Sequence, residues 1–217
     1  MGYLMGIDGT MGTGKTLCMS VLAQHFRQQS GCTLYSNYEL KHSKLITNFE
    51  MFLDVAQQPS SIICLDEAHT DLDSRSVNTN VAKYLTHMVF YLRKLRCTLM
   101  FTSPDIANID IRLRLIMNVY CKAKKNKNYF NYSLWNAQDN KPLRSLRVNQ
   151  RKIFAIGHQI YDTNGMVVPM DFPQTKEGYL DILNLLKKVS NQYYAQASSD
   201  AGQQATGADA VHHHHHH

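Results

Sequence analysis

The chain has no run of 18 apolar residues, and no basic leader followed by an apolar stretch and a small-residue cleavage site. It is therefore expected to carry neither a membrane span nor a secretion signal, and a cytoplasm is the expected compartment. Its five cysteines, Cys18, Cys32, Cys64, Cys97 and Cys121, stand singly, without the short spacings of a zinc site or a disulfide framework. They read as buried thiols. Histidine is scarce once the C-terminal tag is set aside, and His25, His42, His69, His87 and His158 lie too far apart to suggest a metal cluster. No internal repeat and no second-domain boundary is visible.

What is present is 217 residues, 44% of them apolar, enough for one domain with a substantial core. That excludes a disordered tail, a collagen and a coiled coil. The domain is expected over residues 1–194, with the polar stretch and histidine tag of 195–217 as a disordered tail. The formal charge of +6 permits an anionic partner without specifying one.

The apolar pattern alternates between two periods. Residues 3–8, 32–36, 61–65 and 98–102 read as strands; Lys15 to Gln29, Phe49 to Gln57 and Asn78 to Leu95 read as helices. Such alternation predicts an α/β fold with a mostly parallel central sheet flanked by helices, and the glycine-rich Gly9 to Thr16 between the first strand and the first helix makes it a P-loop NTPase. In the second half, residues 115–123 and 129–135 flank a Lys-Asn turn, and 153–160 precede Asp162-Thr163-Asn164-Gly165, predicting antiparallel strands or a hairpin. A last helix is expected over Tyr179 to Tyr194.

Gly9-Thr10-Met11-Gly12-Thr13-Gly14-Lys15-Thr16 fits the P-loop pattern, after a strand and at the start of a helix. Its glycines let backbone amides wrap phosphate oxygens, the helix N-terminus adds partial positive charge, and Lys15 reaches the β and γ phosphates. Thr16 offers its hydroxyl to Mg2+. About 50 residues on, the apolar run Ile62 to Leu65 ends in Asp66-Glu67. Asp66 is the expected metal carboxylate and Glu67 the group that polarises the attacking water. The adjacent glutamate and the lack of an Asn-Lys-x-Asp sequence favour ATP over GTP. A small-molecule kinase is disfavoured by Glu67 and by the lack of a lid.

Thr102-Ser103 ends the fourth strand and would lie next to Asp66 if the third and fourth strands flank the P-loop strand; a hydroxyl there, with Ser103 the candidate, either contacts the γ-phosphate or attacking water or is an ordinary helix or turn cap before Pro104. An arginine acting across a subunit boundary would neutralise charge on the transferred phosphoryl. Arg75, Arg93, Arg96, Arg112 and Arg114 are candidates, with Arg96 and Arg75 leading because both are expected near the active edge.

With these motifs in place the chain resembles the FtsK/HerA superfamily of motor ATPases, particularly the genome-packaging ATPases of membrane-containing tailless icosahedral viruses. The likeness spans roughly residues 3 to 124 and rests on the P-loop, the stretch Leu65 to Arg75, the basic helix end Tyr91 to Arg96 and the turn Ile109 to Arg114. It implies a homo-oligomer, a hexameric ring, that uses ATP and Mg2+ to drive double-stranded DNA into a preformed capsid. It also implies an arginine finger, viral capsid-vertex or membrane-associated packaging partners, and a location in host cytoplasm and virion. That superfamily usually has glutamine where Ser103 stands. The chain is also similar to the assembly ATPases of filamentous phages and their toxin-like relatives, which act on protein partners and continue into a membrane span; such a span is missing here unless this is a truncated cytosolic domain.

The charge is concentrated. Between Arg112 and Lys152 eleven basic residues face one acid, Asp139, a net of +10, interleaved with Tyr120, Tyr129, Phe130, Tyr132 and Trp135. Lys122, Lys124, Lys125 and Lys127, around one turn, are the expected contacts to backbone phosphates, which carry no sequence information and so suit a motor that moves any DNA.

Overall fold

The computed structural model describes residues 2–67, 79–168, 170–173 and 175–212. Among the described residues, eight strands form one sheet in the order β3-β2-β4-β5-β1-β6-β7-β8. They are β1 (Leu4–Asp8), β2 (Thr33–Ser36), β3 (Ser43–Leu45), β4 (Ser61–Leu65), β5 (Cys97–Ser103), β6 (Val119–Asn126), β7 (Tyr129–Asn136) and β8 (Pro142–Asn149). The first six strands in chain order are parallel; β7 and β8 extend the sheet antiparallel, through β6. Helices are α1 (Lys15–Ser30), α2 (Met51–Ala56), α3 (Thr79–Lys94), α4 (Ile111–Ile116), α5 (Gln150–Ile160) and α6 (Lys176–His212).

Strand side chains alternate between faces, and the core divides accordingly. Leu4, Leu99 and Phe101 point to a cluster closed by Phe49, Phe52, Met88, Leu92, Tyr179 and Leu186 from α2, α3, α6 and the segment before α2. Ile7, Met100, Cys121, Phe130 and Tyr132 point the other way, onto Leu17 and Met19 of α1 and Ile153 of α5. β4 is buried along its whole length, as its unalternated apolar sequence requires of a central parallel strand. All five cysteines are free and buried, as expected. Burial pushes the Cys97 thiol up to about 12.

Four expectations are corrected. The segment 153–160 is helix, not strand: its apolar residues fit either period, but Asn149 caps the helix by accepting from Lys152 N at 3.3 Å, and Ile153 and Gly157, four apart, face the core. β8 leaves no clear strand pattern in the sequence because this edge strand is largely exposed and does not alternate cleanly. The segment from 115 is divided between the end of α4 and β6. Finally, α6 continues beyond Tyr194 to His212; the alanines and glutamines of that polar stretch are good helix formers even without an apolar face.

Candidate functional site

β1 ends at Asp8 and the chain turns through Gly9–Gly14 into α1, so the loop lies at the carboxyl edge of a parallel sheet with the helix N-terminus behind it. Gly14 sits at φ +81, and a Cβ there would come within 2.6 Å of Tyr132 Oη. A side chain at Gly9 would meet the Ala123 carbonyl oxygen at 2.5 Å. These glycines let the loop press against β6 and β7. Thr13 Oγ1 donates to the Thr10 carbonyl at 2.7 Å, and Lys15 Nζ donates to the Gly9 carbonyl. Desolvation lowers the Lys15 pKa, opposed by Asp66, Asp8 and Glu67. Asp8 is raised by burial, against the Ile106 N–H and the charges of Lys122 and Lys15.

The acids are set from three strands. Thr16 Oγ1 donates to Asp66 Oδ1 at 2.8 Å, and Thr102 Oγ1 donates to the same oxygen at 2.6 Å. Glu67 N donates to Thr102 Oγ1 at 2.9 Å, which fixes the turn beyond Asp66; Glu67 itself adopts φ +52, an uncommon conformation for a residue with a side chain. Asn37, buried at the end of β2, brackets Asp66: its Nδ2 donates to the Asp66 carbonyl at 2.9 Å and its Oδ1 accepts from Asp66 N at 2.8 Å. The amide thus continues the β2–β4 ladder one step past the strand ends. No local motif announces Asn37, since its partner is 29 positions away.

The phosphate loop, Asp66, Glu67, Thr102, Ser103, Phe130, Phe154 and Tyr161 line one cavity of about 590 Å³. The structure thereby brings Gly12, Lys15, Thr16, Asp66, Glu67 and Ser103 together, but by a different route from the expected one. β5 lies between β1 and β4, so the third and fourth strands do not both flank the P-loop strand. Thr102 bonds Asp66, whereas Ser103 Oγ donates to the Asp105 carbonyl at 3.0 Å. Arg96 lies at the amino end of β5, not at the active edge; the seven residues of that strand separate it from the level of Ser103 by about 20 Å. Arg93 also serves that far edge, donating to the Gly2 and Ile116 carbonyls. Arg112 pairs with Asp110 at 3.5 Å, and Arg114 donates to the Ile109 carbonyl at 2.9 Å. Arg75 lies outside the described residues, as does most of the stretch from Leu65 to Arg75.

Lys122 pairs in register with Asp8, and β6 continues four residues beyond it to Asn126, about 13 Å past the end of the P-loop strand. Lys122, Lys124, Lys125 and Lys127 are all exposed there. The returning strand touches the phosphate loop: Tyr132 Oη donates to the Gly14 carbonyl at 2.8 Å.

This arrangement defines a P-loop ATPase. The chain belongs to the AAA family, the ATPase family associated with various cellular activities, whose match covers residues 5–121. It is an ATP-binding AAA+ protein with an α/β P-loop fold, and the family supports nucleotide hydrolysis. No curated protein sequence matches the chain. Among solved structures, the N-terminal domain of zonular occludens toxin from Neisseria meningitidis is similar at TM-score 0.55 and 17% identity, covering 75% of this chain and 100% of that one. The genome-packaging NTPase B204 of Sulfolobus turreted icosahedral virus 2, in complex with AMP, aligns at TM-score 0.49 and 8% identity, covering 65% and 96%. The flagellar accessory protein FlaH from Methanocaldococcus jannaschii aligns at TM-score 0.45 and 12% identity, covering 68% and 85%. Among the described residues no helix is long and apolar enough to cross a membrane.

Proposed function

We propose that the chain is a Mg2+-dependent ATP hydrolase whose turnover moves double-stranded DNA, acting as a homo-oligomeric ring, hexameric by the resemblance, at the packaging vertex of a virus. The observation that carries this reading is the contact between Tyr132 and the Gly14 carbonyl, which joins the basic hairpin to the phosphate loop. A rearrangement of that loop on hydrolysis reaches the lysine tip through a single strand.

The Thr16 hydroxyl and the Asp66 carboxylate, 2.8 Å apart beside the phosphate cradle, fit the donor set that Mg2+ takes alongside phosphate oxygens. When bound, the ion neutralises charge on the β and γ oxygens. Lys15 exchanges the Gly9 carbonyl for phosphate oxygens. Glu67 orients water in line with the γ-phosphorus and takes its proton as the bond to the β-γ bridging oxygen breaks, leaving ADP and phosphate. Thr102 and Asn37 hold the Asp66-Glu67 backbone, and Ser103 offers a hydroxyl at the cavity wall. A neighbouring subunit supplies the arginine; Arg96, remote from its own site, can act only across that boundary, and Arg75 is the other candidate.

A second reading is an assembly or export ATPase acting on protein. In its favour, the whole of the Neisseria meningitidis toxin domain shares this fold. Steady-state ATPase with and without double-stranded DNA at fixed salt, together with solution mass, separates the two. Stimulation by DNA and a ring mass are expected; an unstimulated monomer sinks the DNA reading in favour of the assembly reading.

A further inference from the structure

The sheet order dictates which way a triphosphate must lie. Glu67 and Ser103 stand beyond β4 and β5 on one side of the P-loop strand, while β6 and β7 stand on the other. A γ-phosphate placed at Glu67 sends the α-phosphate, ribose and base toward β7. At that end of the cavity the lining changes from hydroxyls and carboxylates to Phe130 of β7 and Phe154 of α5.

Phe154 is 41% exposed, although its neighbour Phe130 is 1% exposed. The two rings meet edge to face, with centroids 5.6 Å apart and planes at 75°. The position of Phe154 is built. Asn149 caps the start of α5, Ile153 enters the core, and Gly157, one turn on from Phe154, lets the helix lie directly on α1, where a Cβ would come within 2.3 Å of Leu17 Cδ1. The helix is thereby held against the first turn after the P-loop, presenting an aromatic ring at the cavity mouth. Phosphate chemistry has no use for such a ring. A flat, apolar nucleobase does.

We propose that Phe154, backed by Phe130, is the platform on which the nucleobase of the bound nucleoside triphosphate stacks. The proposal rests on phosphate binding at residues 9–16 and adds the element that makes this a nucleotide site and not merely a polyphosphate site. Because α5 lies beyond residue 121, where the family match ends, this chain's own C-terminal half completes the pocket.

The test compares ATP with inorganic tripolyphosphate, which carries the same phosphate chain without a base. In equilibrium titrations of the whole chain with Mg2+, Phe154→Ala weakens ATP by about tenfold, as expected when one base–aromatic stack is removed, and leaves tripolyphosphate unchanged. Phe154→Trp keeps ATP affinity and adds an indole whose fluorescence responds to ATP but not to tripolyphosphate. Unchanged ATP affinity in the alanine variant overturns the platform, as does equal weakening of both ligands. If the unsubstituted chain binds neither, the phosphate site itself fails and the platform goes with it.

Discussion

Asn37 shows how much of this site depends on a side chain that does no chemistry. Its amide supplies a donor and an acceptor to the backbone of Asp66, so the carboxylate that meets Thr16 and Thr102 is aimed by a neighbouring strand. Asn37→Ala leaves a backbone N–H and C=O without their partners, at a cost of about 1–3 kcal/mol in urea unfolding. Turnover is expected to fall more than affinity for tripolyphosphate, because the phosphate loop is untouched. Asn37→Asp should be worse than alanine, since a carboxylate oxygen then opposes the Asp66 carbonyl. Equal turnover in all three proteins would remove Asn37 from the positioning of the acids. The residues that sequence did disclose here, Lys15, Thr16, Asp66 and Glu67, belong to short motifs whose spacing is local. Asn37 and Tyr132 gain their roles only through strand pairing and packing over long separations.

At the scale of elements, the sheet explains both the successes and the misses. The strand-loop-helix around the P-loop and the β4 terminus were legible because a buried parallel strand and a glycine turn each leave a local signature. α5 was not, because Ile153, Phe154, Ile156 and Ile160 satisfy a strand as well as a helix; only the Asn149 cap and the contact of Gly157 with Leu17 decide between them. Arg96 looked close to the active edge because it precedes the strand that ends there, yet a residue entering a parallel strand lies at its amino end. The hairpin was expected, and its register now places the lysines beyond the nucleotide edge. Replacing Lys124, Lys125 and Lys127 together by glutamine should lower double-stranded DNA affinity at low salt and flatten its salt dependence, by about 0.9 in slope for each phosphate no longer neutralised. It should also abolish DNA stimulation while leaving basal ATPase intact. Unchanged affinity in that titration would take the tip out of the mechanism.

For the molecule as a whole, the division of labour follows the charge. Residues 112–152 carry a net of +10 while the chain carries +6, so the remainder is acidic on balance and, apart from the phosphate loop itself, the positive charge is concentrated in the segment from α4 through the β6–β8 strands to the start of α5. One domain of this size cannot enclose a duplex, which is why the DNA reading requires several copies, and why the arginine that completes each site is sought across a boundary. Every step from nucleotide to DNA presupposes ATP hydrolysis with Glu67 as the base. The direct test is turnover of ATP by Glu67→Gln alongside ATP binding by the same protein. Binding close to that of the unsubstituted chain is predicted, with hydrolysis reduced by about 10²–10⁴-fold; hydrolysis at the full rate in Glu67→Gln would contradict the mechanism.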